Sequence, residues 1–369
     1  MASKSIPRTS RSLVLQKSPA ERKPLYHDVA LEERPIPALE EGQVLVKINA
    51  VAFNHRDVGL VWIRKGMYPA IGVGCVMGAD GAGGSVVVAA HNPHDPLLHK
   101  RVFLTPSRGW IDHPDAPETH AFSVIGGVRW PEIGTFAEYI AVERDEVIPS
   151  PEHLDDVHTA ALPLGLVTAY RATIINAKVS QGQNVLVTGI GGGVAVLALQ
   201  LCLAKGAKVF VTSGSPDKIK RAIKLGASGG VNYKDKDWPN QLTDLLKHKT
   251  DSGLLDAVID SAGGDIMNQT LAYTKLGGVV VCYGMTAAPK ITFTMKQVMR
   301  NQRLIGSTMG SRADLAEAAR FVTEHGIIPV VSQVVSGLAN AEEGFESMRK
   351  GEQFGKIVIQ VEESQRAKL

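Results

Sequence analysis

Asn184-Val185-Leu186-Val187-Thr188-Gly189-Ile190-Gly191-Gly192-Gly193-Val194-Ala195-Val196-Leu197-Ala198-Leu199 is the stretch on which the architecture of this chain turns. It opens with an uncharged, apolar and β-branched run, the composition of a strand covered on both faces. A glycine cluster follows, and from Val194 to Ala204 nearly every residue is a helix former or a core residue until Gly206 ends the pattern. Lys208 to Ser213 then reads as a second strand. Strand, glycine turn, apolar helix and strand make one crossover unit, which forces the two strands parallel. Glycines let the backbone approach a pyrophosphate closely, and a helix N-terminus turns free N–H groups and partial positive charge toward it. Two registers of the dinucleotide fingerprint compete. Counting from Gly189 leaves Val194 at the third position; counting from Ile190 gives Gly192 and Ala195, the better fit because a small side chain lets helix and strand close on each other. Gly191, Gly192, Gly193 and Val194 are therefore the expected phosphate contacts, with a purely structural glycine turn as the alternative.

The tip of the second strand reads Ser213-Gly214-Ser215-Pro216-Asp217-Lys218. A site for NAD offers a carboxylate there to the ribose 2′-OH. Here Ser213, Ser215 and Lys218 suit a 2′-phosphate, which a carboxylate would repel. Asp217 falls in the first turn of the following helix, with Ser215 as its cap and Pro216 at its first position. The expected cofactor is NADP(H).

At 369 residues the chain is long enough for two domains. Hydrophobic content of 44% and charged content of 21% describe a globular protein. A net charge of +3 without basic clusters among aromatics speaks against nucleic acid. No apolar run reaches the ~20 residues needed to cross a bilayer. Cys75, Cys202 and Cys282 are widely spaced in apolar or glycine-rich surroundings, as expected of reduced core thiols in an intracellular protein. The N-terminus is basic and free of acids, but Ser12-Leu13-Val14-Leu15 already reads as a strand, leaving little room for a presequence. A cytosolic protein is expected; the terminal Ala367-Lys368-Leu369, close to the Ser-Lys-Leu peroxisomal address, makes the peroxisome the alternative.

Residues 1–11 read as disordered, and the chain to about Val147 as mostly β. A proline-punctuated loop spans 105–132, of a length usually reserved for function. Helical patterns fill 151–180. Beyond Ser215 the α/β rhythm repeats, with Ile291–Thr294 and Arg303–Ser307 finishing the sheet. Two amphipathic helices and a strand from Lys356 close the chain.

Several motifs in order along nearly the whole length carry a resemblance. They are Asn54-His55-Arg56-Asp57, Gly78-Ala79-Asp80-Gly81-Ala82-Gly83, Gly134-Thr135-Phe136-Ala137-Glu138-Tyr139, Ala161-Leu162-Pro163-Leu164 with Thr168-Ala169-Tyr170, Gly192-Gly193-Val194-Ala195, Asn232-Tyr233 and Gly355-Lys356-Ile357-Val358. The chain resembles the medium-chain dehydrogenase/reductase superfamily, specifically its zinc-free quinone oxidoreductase branch. The fold implied is α/β: a GroES-like β domain over 1–165, a Rossmann doubly wound parallel sheet over 166–306, and a segment 307–369 returning to the first domain. Homodimers pairing through a strand like Ile291–Thr294 are implied as well. Zinc-dependent members place cysteine at Asn54, His-Glu at Ala79-Asp80 and a further cysteine near Leu164, and they carry a four-cysteine structural site, whereas residues 91–130 contain no cysteine. No metal is therefore expected.

The function implied is hydride transfer from NADPH to a quinone or activated alkene in an apolar pocket. The alternatives are an alcohol dehydrogenase or enoyl reductase, or a non-catalytic NADPH-binding sensor. Asn54 would donate to a substrate oxygen or to the nicotinamide ribose, His55 and Asp57 would relay a proton, and Tyr68 is a candidate phenol. Each has a structural reading too: a turn residue, an ion pair of Asp57 with Arg56 or Arg64, and a pocket wall. Thr168 matches the position beside the nicotinamide, or caps a helix. Lys218 and Tyr233 would meet the adenosine 2′-phosphate. Ala262 and Gly284 fall at carboxyl ends of strands, where ligands of open sheets bind. Lys356 follows the family's glycine-lysine near the cofactor.

Overall fold

The computed structural model describes residues 6–19, 27–61, 71–82 and 85–362. The chain divides into two compact units, Met1–Leu164 with Ser311–Leu369, and Gly165–Gly310.

The Gly165–Gly310 unit is built on a six-stranded parallel sheet. Across it run Gly229–Asn232, Lys208–Ser213, Asn184–Val187, Leu255–Asp260, Thr274–Cys282 and Arg303–Gly306, so the order reverses beside the opening strand. Strands in that position are buried on both faces, and Val185, Leu186 and Val187 are each fully buried. On one face Leu186, Phe210, Val258 and Val280 pack with Trp238, Leu242, Leu246 and Tyr273. Helix Gly193–Ala204 buries Ala195 through Leu199, in keeping with its all-round apolar sequence. The edge differs from expectation. Ala288–Ile291 leaves the main sheet to pair with Gly263–Gly264, and Thr294 is the N-cap of helix Met295–Val298, where Gln297 closes the capping box. The cap withdraws Thr294 from strand pairing, so Arg303–Gly306 takes the edge alone.

The other unit holds a five-stranded antiparallel sheet, in the order Tyr139–Glu143, Gln43–Lys47, Ser85–Ala90, Arg101–Leu104 and Val147–Pro149. A second sheet runs Val331–Ser336, Lys356–Gln360, Ala50–Ala52, Asp80–Ala82. Phe53, fully buried, meets Phe136 and Phe345 edge-on at 5.1 and 4.9 Å. The 105–132 segment carries one short ladder, Ser107–Arg108 with Ser123–Val124. Its turn is shaped by Glu118, whose carboxylate accepts the amides of Ile111, Asp112 and His113, each at 2.8 Å.

Two boundaries shift. Thr9–Lys17 is a strand paired with His27–Pro35, so Thr9 to Arg11 are ordered by a ladder and not disordered. Ser307 to Gly310 stay with the dinucleotide-type unit because the Ser307 amide donates to the Cys282 carbonyl and Met309 packs on Thr168. Tyr68, Arg64, Gly83, Gly84 and the Ala367-Lys368-Leu369 tail lie outside the described residues. Among the described residues no helix is long and apolar enough to cross a membrane.

Candidate functional site

The glycine turn sits where the strand order reverses. Gly189 and Gly191 take φ of 65° and 129°, backbone that side chains rarely adopt. The Ile190 amide is held by the Thr212 carbonyl at 2.8 Å, and Gly192 is the N-cap of helix Gly193–Ala204. With no side-chain cap and no acid in the first turn, the amides of Gly193 and Val194 face an exposed Gly192. That is an anion cradle. Ala195, the small residue of the second register, is buried, and a Cβ on Gly165 of helix Pro163–Tyr170 would lie 3.0 Å from Leu197 Cδ1.

Around the second strand tip the expected groups part company. The buried Ser213 hydroxyl donates to the Ile190 carbonyl at 3.1 Å and accepts from the Ser215 amide at 3.3 Å, so it ties two turns together. Ser215 stands at the N-cap of helix Pro216–Lys224, yet its side chain makes no cap hydrogen bond. Lys218 lies across the glycine turn: a Cβ on Gly191 would fall 2.6 Å from its Cδ and 3.1 Å from its Nζ. Tyr233 is 50% exposed. Its phenol oxygen would lie 2.8 Å from a Cβ on Gly214, so glycine there is what admits it. Ser215, Lys218 and Tyr233 thus border one strand tip that bears no carboxylate.

Ala262 is placed by a residue that motif reading passed over. Asp260, fully buried at the end of its strand, accepts the amides of Ala262 and Gly263 on Oδ2 at 3.1 and 2.7 Å and the Thr188 hydroxyl on Oδ1 at 2.6 Å. It therefore couples the 261–264 turn to the glycine turn. Burial holds its carboxyl above the ordinary range despite those donors. A Cβ on Gly284 would fall 2.6 Å from the Ser261 carbonyl. Its only sequence signal was an acid followed by Ser-Ala-Gly-Gly at a strand end. Thr168 is buried inside helix Pro163–Tyr170, not capping it, and its hydroxyl meets the Met309 sulfur at 3.6 Å. Met309 itself holds φ of 52°, a conformation that costs a non-glycine residue about 1–3 kcal/mol.

Asn54, Asp80 and Lys356 meet in the other unit. Ala52 pairs antiparallel with both Val358 and Asp80, and that register carries Asn54 alongside Lys356. The Lys356 ammonium, on a residue only 4% exposed, donates to Asp80 Oδ2 at 2.6 Å and to Asn54 Oδ1 at 2.7 Å. Asn54 Nδ2 donates to the same Asp80 oxygen at 3.0 Å. Asp80 Oδ1 accepts the Leu164 amide at 2.7 Å. Asp57 is fully buried and accepts the Asn54 amide on Oδ2 at 2.8 Å. Among the described residues its Oδ1 has no hydrogen-bond partner. The Arg56 guanidinium is 3.9 Å away but is spent on the carbonyls of Val124, Ile125 and Gly126. Burial, opposed mainly by Arg56, pushes the Asp57 carboxyl up to about 6. His55 is exposed at the start of helix His55–Val61, and residues two apart on a helix point to different sides, so it does not join this cluster.

A divalent metal does not suit these positions. Asn54 brings an amide, Ala79 a methyl group with no lone pair, and Asp80 one carboxylate whose oxygens are both hydrogen-bonded, one of them to an ammonium. Among the described residues, no three His, Cys, Asp or Glu side chains are placed to hold a metal ion. Tetrahedral zinc needs such a set.

Two family models match the chain. Residues 193–324 match the zinc-binding dehydrogenase family, and residues 40–152 match the alcohol dehydrogenase GroES-like domain. A zinc-type alcohol dehydrogenase-like protein of Leptosphaeria maculans is 41% identical over 362 residues, covering 95% of this chain and 99% of its own. The crystal structure of an NAD-dependent alcohol dehydrogenase, 30% identical, has a TM-score of 0.79 and covers 95% of this chain and 99% of that one. A crotonyl-CoA carboxylase/reductase solved in complex with NADP shares the fold at 20% identity, with a TM-score of 0.80 over 98% of this chain and 96% of that one. With both domains matched in order and a close relative along almost its full length, the chain belongs to the medium-chain dehydrogenase/reductase superfamily and is an oxidoreductase of that group.

Proposed function

We propose that the protein is an NADPH-dependent reductase that passes hydride to a quinone or to another activated alkene or carbonyl without a metal ion. The carrying observation is the Asn54–Asp80–Lys356 triangle, which already contains its own buried cation and engages both carboxylate oxygens of Asp80 in hydrogen bonds. Without a Lewis acid to stabilise an alkoxide, simple alcohol oxidation is disfavoured. A conjugated acceptor instead receives hydride at an electron-poor carbon, and the electron pair moves onto an oxygen that a hydrogen-bond donor can stabilise. The dinucleotide, when bound, supplies the hydride. The chain's own residues bind and orient. The glycine turn meets the pyrophosphate, Ser215, Lys218 and Tyr233 take the 2′-phosphate, and Asp260 holds the turn of Ala262 in place. Absence of an acid at the strand tip favours NADPH over NADH. A homodimer completes the proposal, through the exposed apolar residues Leu276, Met295, Val298 and Met299 of the Gly165–Gly310 unit.

The test is a panel assay of NADPH and NADH oxidation with quinones, enones and aldehydes, together with metal analysis of the purified protein. Turnover of a quinone or enone with NADPH, unchanged by chelator, is expected. Stoichiometric zinc with chelator-sensitive alcohol oxidation would replace the reading by a zinc-type alcohol dehydrogenase. Tight NADPH binding with no turnover of any acceptor would replace it by a nucleotide sensor.

A further inference from the structure

We infer that Lys356 and Asp80 are positioning residues for Asn54, which they lock so that its remaining amide N–H is a fixed donor to the substrate oxygen that gathers charge. The inference rests on the reductase reading above. An asparagine amide offers one acceptor oxygen and two donor hydrogens. Here the oxygen faces the Lys356 ammonium at 2.7 Å and one hydrogen is committed to Asp80 Oδ2 at 3.0 Å. Turning the amide over would set its oxygen against a carboxylate and its NH2 against an ammonium, both inside a buried cluster. Only one orientation survives. The main chain is fixed as well, because the Asn54 amide is bonded to Asp57 Oδ2 at 2.8 Å. Asp80 is anchored independently by the Leu164 amide on its side chain and by the Thr135 hydroxyl on its carbonyl, at 2.7 and 2.9 Å.

Among the described residues, the second Nδ2 hydrogen of Asn54 has no acceptor. A cation on the amide oxygen withdraws electrons from the nitrogen, and hydrogen bonds in such a chain strengthen one another in a low-dielectric surrounding. The outcome is a polarised donor with no freedom to reorient, the arrangement that lowers a barrier by meeting charge as it develops. Asp80 cancels the lysine's charge, so the triangle as a whole offers a directed dipole and not a bare cation.

A double-mutant cycle tests this on the full-length protein with NADPH and the quinone or enone that the wild type turns over fastest. Asn54→Ala and Lys356→Met are each expected to lower kcat about 100-fold, as loss of an oxyanion donor does, while the Kd for NADPH changes less than about twofold. The double variant is expected to be no slower than either single one, since Lys356 acts only through Asn54. Lys356→Arg, which keeps charge and donors, is expected to recover part of the rate. If Lys356→Met does not fold, the charge-balanced pair Asp80→Asn with Lys356→Met, with and without Asn54→Ala, makes the same comparison. Multiplying losses would overturn the inference by showing that Lys356 meets substrate itself. A raised Kd for NADPH with kcat preserved would overturn it by making Lys356 a nucleotide contact. A wild type inactive with every acceptor defeats the reductase reading and this inference together. An active wild type with independent losses defeats this inference alone.

Discussion

Replacing Lys218 by alanine isolates the choice between NADPH and NADH. Its side chain is half-buried, and its Nζ reaches 3.1 Å from where a Gly191 Cβ would stand. An ammonium bonded to a phosphate dianion contributes about 1.5–3 kcal/mol, and partial exposure places this contact near the lower end, about 1.5–2 kcal/mol. The Kd for NADPH should then rise about 10- to 30-fold, while that for NADH stays within about twofold. Fluorescence or calorimetric titration of both nucleotides measures it directly. The difference should shrink at high salt, which screens an exposed pair. It should also shrink below about pH 6 in the wild type, where the 2′-phosphate takes up a proton, and that pH dependence should weaken in the variant. Equal losses for the two nucleotides would refute the reasoning by placing Lys218 on the pyrophosphate, and no loss for either would remove it from the site.

Other expectations follow from particular contacts. Burial raises the Asp57 carboxyl from 3.8 to about 6. The stability linked to this group is therefore fully present below the unfolded value and is lost as pH rises through about 6, by up to about 3 kcal/mol. Asp57→Asn, which keeps an acceptor for the Asn54 amide, should gain Tm relative to wild type as pH increases from about 4 to 7; a gain confined to acid pH would contradict this. Gly284→Ala should cost about 1–3 kcal/mol in denaturant unfolding and weaken nucleotide binding, because its methyl group meets the Ser261 carbonyl. Phe53→Ala should cost about 3–5 kcal/mol, since it empties a fully buried site between two aromatic rings. Added zinc should leave Tm unchanged, whereas a ligand bound at about 100 times its Kd would stabilise by about 2.7 kcal/mol.

Most of the fold could be read from local chemistry. The run from Asn184 to Ser213 specifies strand, turn, helix and strand because period, glycine and β-branching act within a few residues. The same locality misled at Ile291–Thr294, where a capping box between Thr294 and Gln297 outcompeted strand pairing, and at the N-terminus, where Thr9 to Arg11 are ordered by pairing with Glu33 to Pro35 and by Glu138, far along the chain. At the strand tip, composition named Ser213, Ser215 and Lys218 alike, but only packing showed that the Ser213 hydroxyl serves the two turns.

From the sequence alone follow the parallel dinucleotide-type unit, the missing acid at its strand tip and the missing cysteines, because each depends on which residues stand near one another along the chain. The meeting of Asn54, Asp80 and Lys356 depends on residues 276 and 302 positions apart. Only the register of three strands brings them within hydrogen-bond reach, and burial then forces the charges to satisfy one another. Tertiary structure therefore decided that the lysine belongs with the asparagine, since pairing register and desolvation are properties of the folded chain and have no counterpart in residue order.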